Sequence, residues 1–347
     1  MRTMRSAIIQ QWHSIDVLQI PVPVLEENEV RIRIKYCGIC GSDLHVYNGV
    51  HPTAKVPVPM GHEMMGFVEE INTKLPVDFK IGDRVTLHAA SCGKCERCLS
   101  GAANQCLKTG VKHQTSAGYA DYMTGNVADV VKIPDSLSDR VAALLEPFAC
   151  AVRTTQRGKI KAGDSVLVIG GGTIGFATAL MARKMGAGRI IMSVKHQNRI
   201  DLAKEYGFET IDPETEDVIA RINELTVGNG VNVTFETSCA PSGIKITPAV
   251  TAVEGTIVML AVGLEPKPEF DIGAIALKEL NIIGSRAHTI VDMKRAAKML
   301  EIIAKENNLE KMISDTISLD DVEAGFRMMI EHRNKGKILV NMDQIGK

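Results

Sequence analysis

The sequence has almost no net charge and no block of charge of one sign: 40 Lys and Arg offset 41 Asp and Glu, a formal charge of -1. Nucleic acids and anionic membrane surfaces are held by basic patches, so neither is an expected partner. No leader is expected either. Residues 1–12 contain no long apolar stretch and no small-residue cleavage site. No signal peptide is expected, and a cytoplasmic location is. An unbroken apolar span is absent too. The uncharged run 165–182 is about as long as a short membrane helix, but Gly170, Gly171, Gly172 and Gly175 interrupt it. A strand, a glycine turn and a helix account for it better.

The 347 residues exceed one ordinary core, which predicts two domains. With 45% hydrophobic and 23% charged residues, the composition is that of a soluble globular protein. Val30, Ile32, Ile34 and Tyr36 alternate with Arg31, Arg33 and Lys35, the period of two that marks a half-buried strand. Short apolar strands with Gly and Pro between them, such as 63–71 and 83–89, continue to about Pro134. The pattern changes near Gly158. Ser165–Ile169 reads as a continuous apolar run, as in a parallel strand buried on both faces. A helix at 173–185, a strand at 189–194 and a helix at 197–206 follow, then strands at 231–237, 255–262 and 280–284. This is the alternation of a doubly wound sheet. Helices at 292–305 and 319–331 and a last strand, Lys337–Asn341, do not extend the series. The expected fold is α/β: a β-rich domain over 1–155, a Rossmann-type domain over 156–285, and a return to the first domain over 286–347.

Four of the eight cysteines form one cluster, Cys92-x2-Cys95-x2-Cys98-x7-Cys106. Such short spacings let one loop wrap a tetrahedral ion, and four thiolates fill every position of Zn²⁺. That zinc would be structural, in a lobe at about 90–110. The alternative is a set of free, redox-active thiols. Cys37, Cys150 and Cys239 have no ligand spacing and are expected to be small buried residues.

Gly170-Gly171-Gly172-Thr173-Ile174-Gly175 matches G-x-G-x-x-G between an expected strand and an expected helix, the context that gives this motif weight. Gly170 permits the tight turn, Gly172 lets a pyrophosphate approach and Gly175 allows helix to pack on strand. The helix N-terminus supplies donors to the phosphates. An NAD site normally has an acid about 20 residues on, for the ribose hydroxyls. Residues 189–200 contain none; they hold Ser193, Lys195, His196 and Arg199. Cations without an acid suit a 2′-phosphate, so NADP is favoured over NAD, with Lys195 and Arg199 as its ligands.

Cys37-Gly38-Ile39-Cys40-Gly41-Ser42-Asp43-Leu44-His45, Gly61-His62-Glu63 and Glu146-Pro147 contain a thiol, an imidazole and carboxylates. Three such ligands make a zinc site with one open position. Spacing does not separate this from a solvated His62. Taken with the four-cysteine cluster, Gly82-Asp83-Arg84-Val85 and the glycine turn, the order of these motifs resembles the zinc-dependent medium-chain dehydrogenases along essentially the whole chain. The similarity is to their alcohol, sorbitol and threonine branches.

The resemblance implies a GroES-like catalytic domain, two zinc ions per chain and a homodimer or homotetramer. It implies that Cys40 and His62 are ligands of the catalytic zinc. Glu146, at a position that is cysteine in alcohol dehydrogenases and glutamate in the sorbitol-like branch, is the implied third ligand. Glu63 matches an acid beside the metal that also binds it in some states. Ser42 matches the hydroxyl residue at the reacting oxygen, and His45 a histidine that relays the proton outward. The implied reaction moves a hydride between an alcohol or ketone substrate and NAD(P). A secondary polyol or sugar-derived alcohol is the expected substrate, with a threonine-like amino alcohol as the alternative. A non-catalytic cofactor-binding or structural protein is a third reading, but it predicts damage to these residues, and all of them are present. His51, Phe148, Arg286 and His288 fit no pattern and are expected to be packing or surface residues.

Overall fold

The computed structural model describes residues 2–51, 54–88, 91–108, 117–260 and 267–344. The ends of the strands expected at 83–89 and 255–262 lie outside the described residues. The chain forms two compact units, Met1–Ala149 with His288–Lys347, and Cys150–Ala287. The divisions fall a few residues from 155/156 and 285/286, because a helix, Leu145–Gly158, runs through the first of them. Pro147 lies in the first turn of that helix, where its missing N–H would have no helical partner in any case.

In the first unit, Glu29–Gly38 is the central strand of a seven-stranded sheet. It pairs antiparallel with Glu63–Asn72 on one side, and its end pairs with Lys337–Asn341 on the other. The period-two pattern holds over 30–34: Val30, Ile32 and Ile34 are buried in the core, and Arg31 and Arg33 point to the other face and bind Glu70 and Asp343. A register shift after Ile34 leaves Tyr36 half-buried and buries Cys37 instead. A smaller sheet of three strands contains Thr3–Gln11 and Ser14–Pro21. The register of the central pair sets Gly38 opposite Glu63 and Cys37 opposite Met64. The residues that follow Gly38 and precede Glu63 are thereby delivered to one end of the sheet.

The second unit is a six-stranded parallel sheet. Numbered along the chain as 165–169, 189–193, 209–211, 231–236, 251–259 and 281–284, the strands lie in the order third, second, first, fourth, fifth, sixth. This is the dinucleotide-fold order, with its switch point beside the first strand. Val166, Leu167 and Val168 are wholly buried, because helices cover both faces of a parallel sheet.

The glycine turn leaves that first strand. Gly170 has φ +116°, a conformation that side chains resist. A Cβ at Gly175 would fall on the Gly170 carbonyl, and one at Gly172 would meet nothing. Gly175→Ala therefore has no room without displacing backbone, and we expect a loss of about 1–3 kcal/mol, measured by urea unfolding. Gly172→Ala should cost much less of the fold.

Candidate active site and metal lobe

Residues 91–108 show why four cysteines come together. Asn104 is their only buried residue, and Leu99 and Leu107 are exposed. These described residues form no apolar core of their own. What converges instead are sulfurs. The Cys95–Cys98, Cys95–Cys106 and Cys92–Cys98 Sγ pairs are 3.5, 3.8 and 3.9 Å apart. Disulfide sulfurs would be about 2 Å apart, whereas Zn–S bonds of about 2.3 Å give a tetrahedron with edges of about 3.8 Å. The four thiols thus fit zinc. Backbone N–H groups of Cys92 and Lys108 donate to Cys106 Sγ. The Cys98 and Leu107 N–H groups bring Cys95 down to about 6, while burial and the neighbouring thiols push Cys98 up to about 11.

The second cluster starts at Cys40, the N-cap of the short helix Gly41–Tyr47. Asp43 and Tyr47 face inward, four residues apart. Ser42 is exposed and His45 half-buried, three residues apart on the other side. Asp43 reaches back, and its Oδ2 accepts the Cys40 N–H at 3.0 Å. Its Oδ1 lies 3.3 Å from His62 Nδ1. Burial works against the Asp43 charge, but His62, Tyr119 and the Cys40 N–H outweigh it and hold the carboxyl below its usual range. Burial likewise pulls His62 down, and the Asp43 carboxylate and Cys40 raise it well above an ordinary histidine.

Cys40, His62 and Glu63 bring a sulfur, an imidazole nitrogen and a carboxylate oxygen within 4.8 Å of one another. That donor set suits Zn²⁺. Glu63 is buried with Lys337, whose ammonium donates to Glu63 Oε1 at 2.7 Å and to the Ile39 carbonyl at 2.9 Å, and lies 2.6 Å from Oε2. Oε2 nevertheless has no well-directed hydrogen bond, as expected of an oxygen left for another partner. A Cβ at Gly38 would strike that oxygen, which explains the glycine opposite Glu63. Burial raises the Glu63 carboxyl, with Lys337 opposing it.

Glu146 falls outside this triplet. Its Oε1 is 3.0 Å from His288 Nε2. Burial opposes its charge, but the hydrogen bond to His288 and the charges of His288, His62 and Lys337 bring it down to about 2. His288, expected to be packing or surface, is buried against Glu146 and lies with its ring 5.0 Å from that of His88. Asp43, Tyr119 and Lys337 also went unassigned in the sequence. A lysine heading the buried apolar run Ile338, Leu339 and Val340 of the strand Lys337–Asn341 was the available signal for the last. Cys37 is buried as expected; Cys150 and Cys239 are only half-buried.

In the second unit, Gly172 is the N-cap of the helix Thr173–Lys184, so no side chain occupies the first-turn N–H groups. Thr173 and Ile174 open that helix. Past the strand Arg189–Ser193, Lys195 lies 3.5 Å from Glu214. The Arg199 side chain lies over the glycine turn: its Cδ and Cβ are 3.4 and 3.5 Å from where a Gly171 Cβ would stand. Burial lowers its pKa, and no carboxylate pairs with it among the described residues.

Residues 26–135 match the alcohol dehydrogenase GroES-like domain and residues 173–305 match the zinc-binding dehydrogenase domain. A sorbitol dehydrogenase of Halalkalibacterium halodurans is 31% identical over 89% of this chain and 91% of its own length. An L-threonine 3-dehydrogenase of Pectobacterium carotovorum is 31% identical over 97% and 98%. Among solved structures, a zinc-binding dehydrogenase of Sinorhizobium meliloti with NADP bound superposes with a TM-score of 0.88 at 30% identity, covering 98% of this chain and 100% of that one. These matches agree with the two folds and the two donor sets. The chain belongs to the zinc-dependent medium-chain alcohol dehydrogenases, oxidoreductases that act on alcohols with NAD(P).

Proposed function

We propose that the chain oxidises a secondary alcohol of the polyol or sugar-derived kind, transferring the hydride to NADP, at a zinc held by Cys40, His62 and Glu63. The observation that carries this is the convergence of those three ligand atoms within 4.8 Å, beside the open helix face that bears Ser42 and His45. Zinc bound there supplies Lewis-acid polarisation of the substrate oxygen. Asp43 orients His62 so that Nδ1 donates and Nε2 remains for the ion. Ser42 takes the hydroxyl proton, and His45 passes it towards solvent. Glu146, held by His288, is the alternative carboxylate ligand. The first unit acts as the catalytic domain with its metal lobe, and the second binds the dinucleotide through Gly170, Gly172, Thr173, Ile174 and Gly175. A homodimer or homotetramer in the cytoplasm belongs to the same reading and rests on the resemblance.

The test is a panel of polyols, sugar acids, their phosphates and amino alcohols, with NADP and NAD, followed by nicotinamide absorbance. No change with any substrate in zinc-loaded protein would sink the enzymatic reading and leave the non-catalytic one. The threonine relative is as similar as the sorbitol relative, so threonine belongs in the panel; a clear preference for it would replace the polyol assignment.

For the cofactor, Arg199 lies at the glycine turn and pairs with no carboxylate among the described residues. A hydrogen bond to a charged group contributes about 1.5–3 kcal/mol. Arg199→Ala should therefore weaken NADPH about 10- to 100-fold and NADH little, by fluorescence titration. Lys195→Ala should do less, because Lys195 already has Glu214. Tighter NADH than NADPH binding by the wild type would refute the NADP assignment.

A further inference from the structure

Tyr119 is fully buried, and its backbone is docked against the segment that leads into His62. Tyr119 N–H donates to the Met60 carbonyl and Gly118 N–H to the Gly61 carbonyl, both at 2.9 Å. Gly61 has φ +97°, and a Cβ there would meet the Tyr119 amide and ring at 2.7–2.9 Å. On the far side, Tyr119 packs edge-on against Phe326, and its carbonyl accepts the Ala7 N–H at 2.8 Å. The ring has nowhere to turn. Its hydroxyl lies 2.6 Å from Asp43 Oδ2 and 3.1 Å from the Gly38 carbonyl. A phenol has one proton, and the nearer, charged oxygen takes it in a short charge-assisted bond.

Asp43 is therefore a hub with three contacts: Tyr119 O–H and Cys40 N–H on Oδ2, and His62 Nδ1 on Oδ1. Two of the three are residues of the proposed zinc site. A carboxylate with both oxygens engaged cannot rotate without losing one of them. Among the described residues, the one contact from outside the metal-binding pair is the tyrosine. Resting on the reading above, we propose that Tyr119 is a positioning residue for the catalytic zinc. Its hydroxyl fixes the Asp43 carboxylate, which in turn fixes the His62 imidazole and the Cys40 backbone. Burial, then the Asp43 charge, raise the Tyr119 pKa well above that of a free phenol, so the hydroxyl stays a donor at all working pH.

The experiment is zinc competition with a chromophoric chelator, with the visible spectrum of the Co²⁺-substituted protein as a second readout. Partners behind a ligating histidine change metal affinity about 10- to 100-fold. Tyr119 stands one bond further out, so Tyr119→Phe should weaken one of the two zinc ions about 3- to 10-fold and shift the Co²⁺ bands. The four-cysteine ion should be unaffected. In an Asp43→Ala background, the same change should have no effect. Tyr47→Phe is the control, since it removes another hydroxyl of this region, one that bonds to the His13 carbonyl and Glu323. It should leave both affinities alone. Unchanged affinity and spectrum in Tyr119→Phe, or an equal loss in the Asp43→Ala background, would overturn the proposal. Should Tyr119→Phe fail to fold, 3-fluorotyrosine at 119 keeps the hydroxyl and strengthens it as a donor. Tighter zinc supports the proposal, and unchanged zinc overturns it. A wild-type protein that binds only the four-cysteine ion would instead defeat the functional reading.

Discussion

Cys40→Ser should remove nearly all turnover and leave the protein folded, and Cys95→Ser should open the metal lobe instead. Polarisation by a catalytic ion contributes several kcal/mol, and about 1.4 kcal/mol is a tenfold change in rate. Loss of the Cys40 thiolate should therefore lower kcat roughly a thousandfold. Cys40 lies on a framework that does not need the ion. Glu29–Gly38 is paired on both sides and its apolar face is buried. Thermal unfolding should move little. The lobe at 91–108 is different, because Asn104 is all that it buries. Structural zinc contributes about 10–16 kcal/mol in small metal domains, and nothing else in the lobe replaces it. Cys95→Ser should open the lobe to limited proteolysis at protease levels that spare the wild type, and metal analysis should show one zinc lost. An inactive Cys95→Ser protein with a protease-resistant lobe, beside an active Cys40→Ser protein, would mean that the two ions have been assigned the wrong way round.

Lys337→Met should destabilise the zinc-free protein by about 3–5 kcal/mol, the usual cost of leaving one partner of a buried ion pair behind. Lys337 and Glu63 are 5% and 1% exposed, so water cannot take over the carboxylate. Lys337 also holds the carbonyl of Ile39, next to Cys40, so its loss loosens two parts of the site. Two results would separate the ion pair from ordinary packing. Zinc should reduce the effect, because the ion becomes a counter-charge for Glu63. Glu63→Gln should also reduce it, because no unpaired charge then remains; the two changes should be strongly non-additive. Urea unfolding of the four proteins, with and without chelator, measures both. Additive losses that zinc does not alter would show that Lys337 acts through its packing alone.

The structure and the sequence agree best where a signal is local. The alternation at 30–36 became the central strand of the first sheet, and the glycine turn became the switch point of the second. Both depend on the neighbouring few residues: side chains on a pleated strand alternate by geometry, and a turn at φ +116° excludes side chains wherever it occurs. The strands Thr3–Gln11 and Ile313–Ser318 went unread because no clean period marks them; their pairing partners determine them. Strand propensity is largely a matter of which neighbours are present. The helix Leu145–Gly158 was hidden by Pro147, a breaker inside a helix but acceptable in its first turn.

The two metal sites divide in the same way. The four cysteines lie within one short loop, so their spacing alone determined that their sulfurs could meet around one ion, and the Sγ separations of 3.5–3.9 Å agree. Cys40, His62 and Glu63 were legible as candidate ligands only through the family resemblance, because their spacing left a solvated His62 equally open. The residues that hold them were not. Glu63 meets Lys337 across 274 positions and Glu146 meets His288 across 142. No local pattern encodes such distances, because the contacts exist only once Lys337–Asn341 has paired beside Glu29–Gly38 and the C-terminal segment has returned to the first unit. The sequence by itself determined which atoms can bind metal and which turn can take a phosphate. Only the tertiary structure decided which charges are buried together, and burial is what makes an ion pair costly to break and a hydroxyl such as that of Tyr119 able to hold a carboxylate in place.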